Sequence, residues 1–157
     1  MMKHAVITDA TLNTSLNSIP KPRRGPIHKV LVSFSAAYFA GALVTDLAYW
    51  HVPDVLWERF SIWLITAGLI MAGLATIAFV FDIARGRQFD RPAWLGAVGY
   101  AIAVLLSLTN AFVHSRDGYT AVVPLGLTLS AIVVAVLLLT AWVAMALANR
   151  TRVGGQS

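Results

Sequence analysis

The sequence predicts an all-α integral membrane protein built as four transmembrane helices. Three observations carry that expectation. Apolar residues make up 58% of the 157 residues and charged residues only 12%, whereas a soluble domain holds about 45–50% apolar and roughly 25% charged residues. The apolar residues fall in four runs of membrane-spanning length. Lys and Arg gather in alternate segments between those runs.

Composition also excludes several function classes. The isoelectric point near 10.1 and mean hydropathy of +0.72 occur together. The basic residues flank apolar runs and form no stripe on a polar surface, which argues against nucleic-acid binding. There are no cysteines, so disulfides, thiolate metal sites, iron–sulfur ligation and covalent haem attachment through cysteine are ruled out.

In chain order, residues 1–27 are polar, rich in Thr, Ser, Asn and Pro, and end in the basic run Lys21, Pro22, Arg23, Arg24. This composition predicts a disordered cytoplasmic tail. A cleaved signal peptide would carry a shorter apolar core, and the run after Lys29 has full span length. A membrane domain over 28–150 follows, then a short tail over 151–157. The first run, Val30 to Tyr49, is interrupted only by Asp46. The second, Ser61 to Phe81, is uncharged, as is the third, Ala93 to Val113, which opens just after Pro92. Proline suits a first helical turn. The fourth and longest, Thr120 to Asn149, is uncharged, with Pro124 expected in its first turn.

A run of about 20 residues at 1.5 Å each matches the roughly 30 Å hydrocarbon layer. Backbone amides in lipid must be satisfied internally, so each run is expected as a helix. The spans are placed near 30–50, 60–82, 93–114 and 120–148. Linkers at 50–60, 82–92 and 114–119 are short, which implies antiparallel neighbours in an up-down-up-down bundle.

Ten Lys and Arg residues belong to the two tails and the second linker, against Arg59 and Arg116 on the other side. The excess marks the cytoplasmic side, so both termini are expected there. Tyr49, Trp50, Trp57, Trp63 and Tyr119 at the outer ends, with Trp94 at an inner end, read as interfacial anchors.

Small residues recur every fourth position: Ser33, Ala37, Gly41 and Thr45; Gly68, Ala72 and Thr76; Gly99, Ala103, Ser107 and Ala111. A weaker pair, Ala131 and Ala135, sits on the fourth run. Small residues let helix backbones approach in lipid, where no hydrophobic effect drives association. These stripes are expected as seams within the bundle, and the outward faces leave room for a homodimer.

Polar residues inside the runs are the functional candidates, because an Asp at mid-span costs roughly 2.5–3.5 kcal/mol on insertion scales. Asp46 lies four residues before Trp50, where hydration or hydrogen bonding is expected, with a proton or ligand role as the alternative. Asp82 is expected to pair with Arg85, three residues on. Asn110 and His114 share a face with Ser107 and Ala111. His51 and His114 fall at outer ends of different spans, and with Asp46 and Asn110 they sketch a haem b or transition-metal site. Solvated interfacial imidazole is the plainer reading. His28 stands at the start of the first span as a headgroup contact, a cap or half of a site. No phosphate loop, nucleophile elbow, zinc-protease motif or paired inward carboxylates appear, so no catalytic residue and no metal ligand set is assigned. Interrupted helices of the transporter kind are also missing from the fourth run.

Several landmarks together resemble a known family. They are Pro26, Ile27, His28, Lys29 at the start of the first span, Asp46 in "VTDLAYW", Asp82 in "FVFDIARG", and Leu95, Gly96 opening the third. In order and placement over residues 26–150 they resemble the bacterial membrane family known as domain of unknown function 2231. The resemblance implies a small four-helix inner-membrane protein with no established activity. It also implies an association with redox modules such as Rieske-type or cytochrome c domains. Members carry a His-Pro at the first span and a second His after the Leu-Gly of the third. Here Lys29 follows His28, and Gly96 to Tyr100 holds no histidine, so a two-histidine site of that kind would be incomplete.

Three readings follow. The first is a non-enzymatic membrane subunit or anchor in the lipid bilayer, docked with a partner protein such as a redox protein. The second is an electron-transfer protein binding haem b or a quinone, with His28, His51 or His114 as ligands. The third is a small transporter or proton-conducting protein using Asp46 and Asp82.

Overall fold

The computed structural model describes residues 27–116 and 122–154; the expected tail over 1–27, apart from Ile27, lies outside them, as do the expected anchor Tyr119, the expected span start Thr120 and the last three residues. Four helices result: α1 (Ile27–His51), α2 (Val55–Ala84), α3 (Arg91–Arg116) and α4 (Leu127–Gly154). All four are long and apolar enough to cross a membrane. They extend beyond the apolar runs at several ends, because flanking polar residues continue the hydrogen-bond ladder into the interfacial zone.

Local chemistry sets the boundaries. The Asp54 carboxylate accepts from the Leu56 amide at 2.9 Å and so caps α2, meeting one of the amides that a helix start leaves unpaired. At the other end, Gly86 takes φ +75°. There the Gly86 amide donates to the Ile83 carbonyl and the Arg87 amide to the Asp82 carbonyl. A left-handed residue closing the last carbonyls is what a glycine without Cβ permits. Asp90 caps α3 by accepting from the Ala93 amide at 3.1 Å.

Val123 is extended (φ −122°, ψ 126°) and is the non-helical residue within Val122–Gly126, and the apolar span runs from Val123 to Arg150. Proline disfavours the α conformation in the residue before it and suits a first helical turn, so Pro124 opens the helical path that continues as α4 from Leu127.

α1 packs on α2 and α3 on α4, while α1 also meets α4 and α2 meets α3. The core joins Phe39, Ala103 and Val133, with Leu69, Val104, Leu106, Val136 and Leu137 against it. Large apolar side chains such as Phe34, Trp63, Leu105, Phe112, Leu138 and Trp142 point outward and are more than half exposed. A soluble domain would bury such residues; here lipid is their solvent.

The seams depart in register from the every-fourth-residue stripes. On α1 the buried positions are His28, Ser35, Phe39, Ala42, Thr45 and Asp46. Ser33 and Ala37 are exposed and Gly41 half-buried. On α2, Gly68 and Ala72 are buried, but Ala75 replaces Thr76, which is exposed. On α3, Ala103 and Ser107 are buried, with Gly99 and Ala111 at the margin. Ala131 and Ala135 face outward, and Ser130 and Val133 turn inward. The reason is geometric: at 3.6 residues per turn, a four-residue step drifts by about 40° around the helix. A seam that stays on one side must alternate steps of three and four.

Candidate functional site

Two polar clusters occupy the bundle, one near each end of α1. The first centres on Asp46, whose side chain is fully buried. Four helices supply its surroundings. Ser61 of α2 donates its hydroxyl to Oδ1 in a very short contact, and Ser130 of α4 donates to Oδ2 at 2.5 Å. His114 of α3 brings Nε2 to 3.3 Å from Oδ1. Asn110 donates from Nδ2 to the Ser130 hydroxyl at 2.8 Å. These bonds tie the C-terminal half of α1 and the end of α3 to the first turns of α2 and α4.

Of the two expectations for Asp46, hydration or hydrogen bonding, the geometry is that of hydrogen bonding. Two hydroxyls donate to the fully buried carboxylate and an imidazole nitrogen faces it. His114 is likewise buried, at 4% exposure, and is not a solvated interfacial imidazole. Helical spacing explains both placements: Asn110 and His114 continue the Ala103–Ser107 seam of α3 by steps of three and four, so they point inward with it.

The second cluster centres on Asp82. His28 of α1, itself buried, donates from Nδ1 to Asp82 Oδ2 at 2.7 Å. Arg87 donates to Oδ1 at 3.3 Å. The expected partner Arg85 is instead placed with its guanidinium 6.0 Å from the centre of the Phe81 ring. The left-handed turn at Gly86 folds the chain back, which brings the residue after it toward Asp82. Phe79 and Phe89 meet the His28 ring edge-on, at centroid distances of 5.4 and 5.8 Å, and Trp94 meets Phe79 at 5.9 Å. His28 therefore joins α1 to the end of α2 inside an aromatic wall.

Between the clusters, the Ser35 hydroxyl donates to the Gly68 carbonyl at 2.9 Å. Tyr100 Oη and Asn110 Oδ1 are the buried side-chain polar atoms among the described residues that have no hydrogen-bond partner.

The three candidate histidines are not brought together. His28 and Asp46 are separated along α1 by about 27 Å at 1.5 Å per residue, so His28 and His114 occupy different ends. His51 is exposed and bonds the Leu47 carbonyl of its own helix at 3.1 Å. His114, by contrast, is buried against Asp46. Among the described residues, no group of three His, Asp or Glu side chains is placed to hold a metal ion. Ser61 and Ser130, which complete the Asp46 cluster, carry no distinguishing signal in the sequence. Nor do Phe79 and Phe89 around His28.

No curated protein and no solved structure is significantly similar to the chain. The family model described as "Predicted membrane protein (DUF2231)" matches residues 24–157, a stretch that contains both clusters and all four helices. The chain is a multi-pass membrane protein that belongs to this family.

Proposed function

We propose that the chain is a non-enzymatic membrane subunit that anchors or docks a partner protein in a bacterial inner membrane. Its helices alternate in direction, and both termini lie on the cytoplasmic side. One observation carries this reading: the acidic and imidazole side chains buried in the bundle bond to each other across helices, which holds the bundle together. The connection from α1 to α2 is three residues long, Val52 to Asp54, too short to hold a separate domain. What remains for recognition is the lipid-facing surface and the tails. A redox protein is the partner class favoured by the family resemblance, whose relatives are associated with redox modules.

The test is purification of the tagged chain from its native membrane in mild detergent, followed by mass analysis of what co-elutes. A second polypeptide in fixed ratio that persists through size-exclusion chromatography supports the reading. A chain that elutes alone, at the mass of one or two copies, overturns it. A reduced-minus-oxidised spectrum of the same material addresses the haem b alternative: a Soret change that tracks with this chain would replace the subunit reading by an electron-transfer one.

A further inference from the structure

Donor and acceptor rules fix one proton on His114 and require another beside it. His114 Nδ1 lies 3.0 Å from the Asn110 carbonyl oxygen. A carbonyl only accepts, so Nδ1 carries hydrogen. Nε2 faces Asp46 Oδ1 at 3.3 Å. In a neutral imidazole protonated at Nδ1, Nε2 is an acceptor, and an ionised carboxylate is an acceptor as well.

No neighbouring group relieves that facing. The hydroxyl hydrogens of Ser61 and Ser130 already point at the carboxylate, and the Asn110 amide donates to Ser130. A hydrogen bond between His114 and Asp46 therefore contains one additional proton, held on Nε2 or on Oδ1.

The groups around this pair are few. α1 contributes Asp46 itself. α2 contributes Ser61 and, one turn nearer its start on the same side of the helix, the partly buried Glu58. α3 contributes Asn110, and α4 contributes Ser130. Asn110 to Ser130 joins α3 to α4 with neutral groups alone. An acid inside a span costs roughly 2.5–3.5 kcal/mol, and what an acid with an imidazole adds to neutral hydrogen bonds is an exchangeable proton.

We propose that Asp46 and His114 form a membrane-embedded proton-binding site that takes up and releases one proton per chain, exchanging with the aqueous phase through Glu58. Uptake places the proton on a lone pair of Nε2 or Oδ1 and changes the net charge of the pair from −1 to 0. Release is the reverse, and no bond between heavy atoms forms or breaks. Glu58 receives the proton at the mouth of the bundle and passes it inward. This site does not depend on which partner the subunit docks.

The experiment uses the full chain in lipid nanodiscs, with imidazole nitrogens labelled with nitrogen-15 and followed by magnetic resonance as pH is varied. Carboxyl infrared bands are recorded in parallel. The wild type is expected to show the nitrogens of one buried imidazole and one carboxyl band changing together, with one proton taken up. His114→Gln removes both signals. Asp46→Asn moves the His114 midpoint by at least about tenfold in proton concentration, the usual reach of an adjacent charge. Glu58→Gln leaves that midpoint within about threefold and slows exchange by about tenfold or more.

Nitrogens that hold one state throughout the pH range in which the wild type stays folded overturn the proposal, a result that needs no variant. So does an unmoved midpoint in Asp46→Asn, or a response to sodium at constant pH in place of a response to protons. Unchanged exchange in Glu58→Gln overturns the assigned route.

Discussion

Asp46 is the acceptor on which Ser61, Ser130 and His114 all depend, so truncating it differs from truncating any one of them. Asp46→Ala leaves two hydroxyls and an imidazole nitrogen facing an apolar gap. Removing one partner of a buried charged contact costs about 3–5 kcal/mol. Ser130→Ala removes one donor and the acceptor of Asn110, and single interhelical hydrogen bonds in membranes average about 0.6 kcal/mol with a ceiling near 1.7. Unfolding in mixed micelles titrated with denaturing detergent is therefore expected to rank Asp46→Ala well below Ser130→Ala in stability. Equal stability of the two would show that the carboxylate is not the hub. Asp46, Asn110 and His114 were legible in the sequence because polar groups interrupt apolar runs at a cost. Ser61 and Ser130 were not, because a serine in a helix usually satisfies itself on a carbonyl one turn back. Ser33 and Ser107 do this here, as do Thr66 and Thr76. Whether a hydroxyl turns across a seam is decided by the neighbouring helix, which the local sequence does not describe.

Glycines separate close helix contacts from incidental ones. A Cβ at Gly99 would collide with the Oγ1, Cγ2 and Cβ atoms of Thr140, the whole side chain and not merely its tip. At Gly68 it would come within 2.6 Å of Phe39 Cε1, a ring wedged in the core. At Gly41 it would meet Leu64 Cδ1 at 3.4 Å, an ordinary contact, and at Gly73 nothing lies within 4 Å. Gly99→Ala and Gly68→Ala are therefore expected to destabilise by about 1–3 kcal/mol through overpacking. Gly41→Ala is close to neutral, and Gly73→Ala gains up to about 1 kcal/mol from helix propensity. Thermal unfolding of the four variants in one detergent checks the order, and a destabilised Gly73→Ala would contradict it. The helices themselves were legible, since long uncharged runs have one solution in lipid. Their seams were legible only in part. Counting small residues by fours picks out Thr45, Gly68, Ala72, Ala103 and Ser107, which are buried, together with Ser33 and Ala37, which are exposed. The bulky Phe39 takes the core position because Gly68 makes room for it, a pairing between helices that no periodicity within one helix contains.

At the scale of the molecule, the two His–Asp contacts act at opposite ends and join different helices. His28 with Asp82 fastens the start of α1 to the end of α2, while Asp46 with His114 brings the end of α1 to the end of α3. In the proposed alternation of helix direction, the connection at Val52–Asp54 and the connection at Arg85–Asp90 belong on opposite faces of the bilayer. The proposed orientation, drawn from the distribution of Lys and Arg, puts the second of these on the cytoplasmic side together with both tails. Because the chain has no cysteine, single introduced cysteines report sidedness without background. Val52→Cys and Gln88→Cys both replace exposed residues in the connections between helices. A membrane-impermeant maleimide applied to spheroplasts is expected to label Val52→Cys in intact preparations and Gln88→Cys only after permeabilisation. The reverse pattern would invert the protein while leaving the bundle standing. Labelling of both from the same side would mean that α2 does not cross, and the contacts from Asp46 to Ser61 and from His28 to Asp82 could not both form in one membrane.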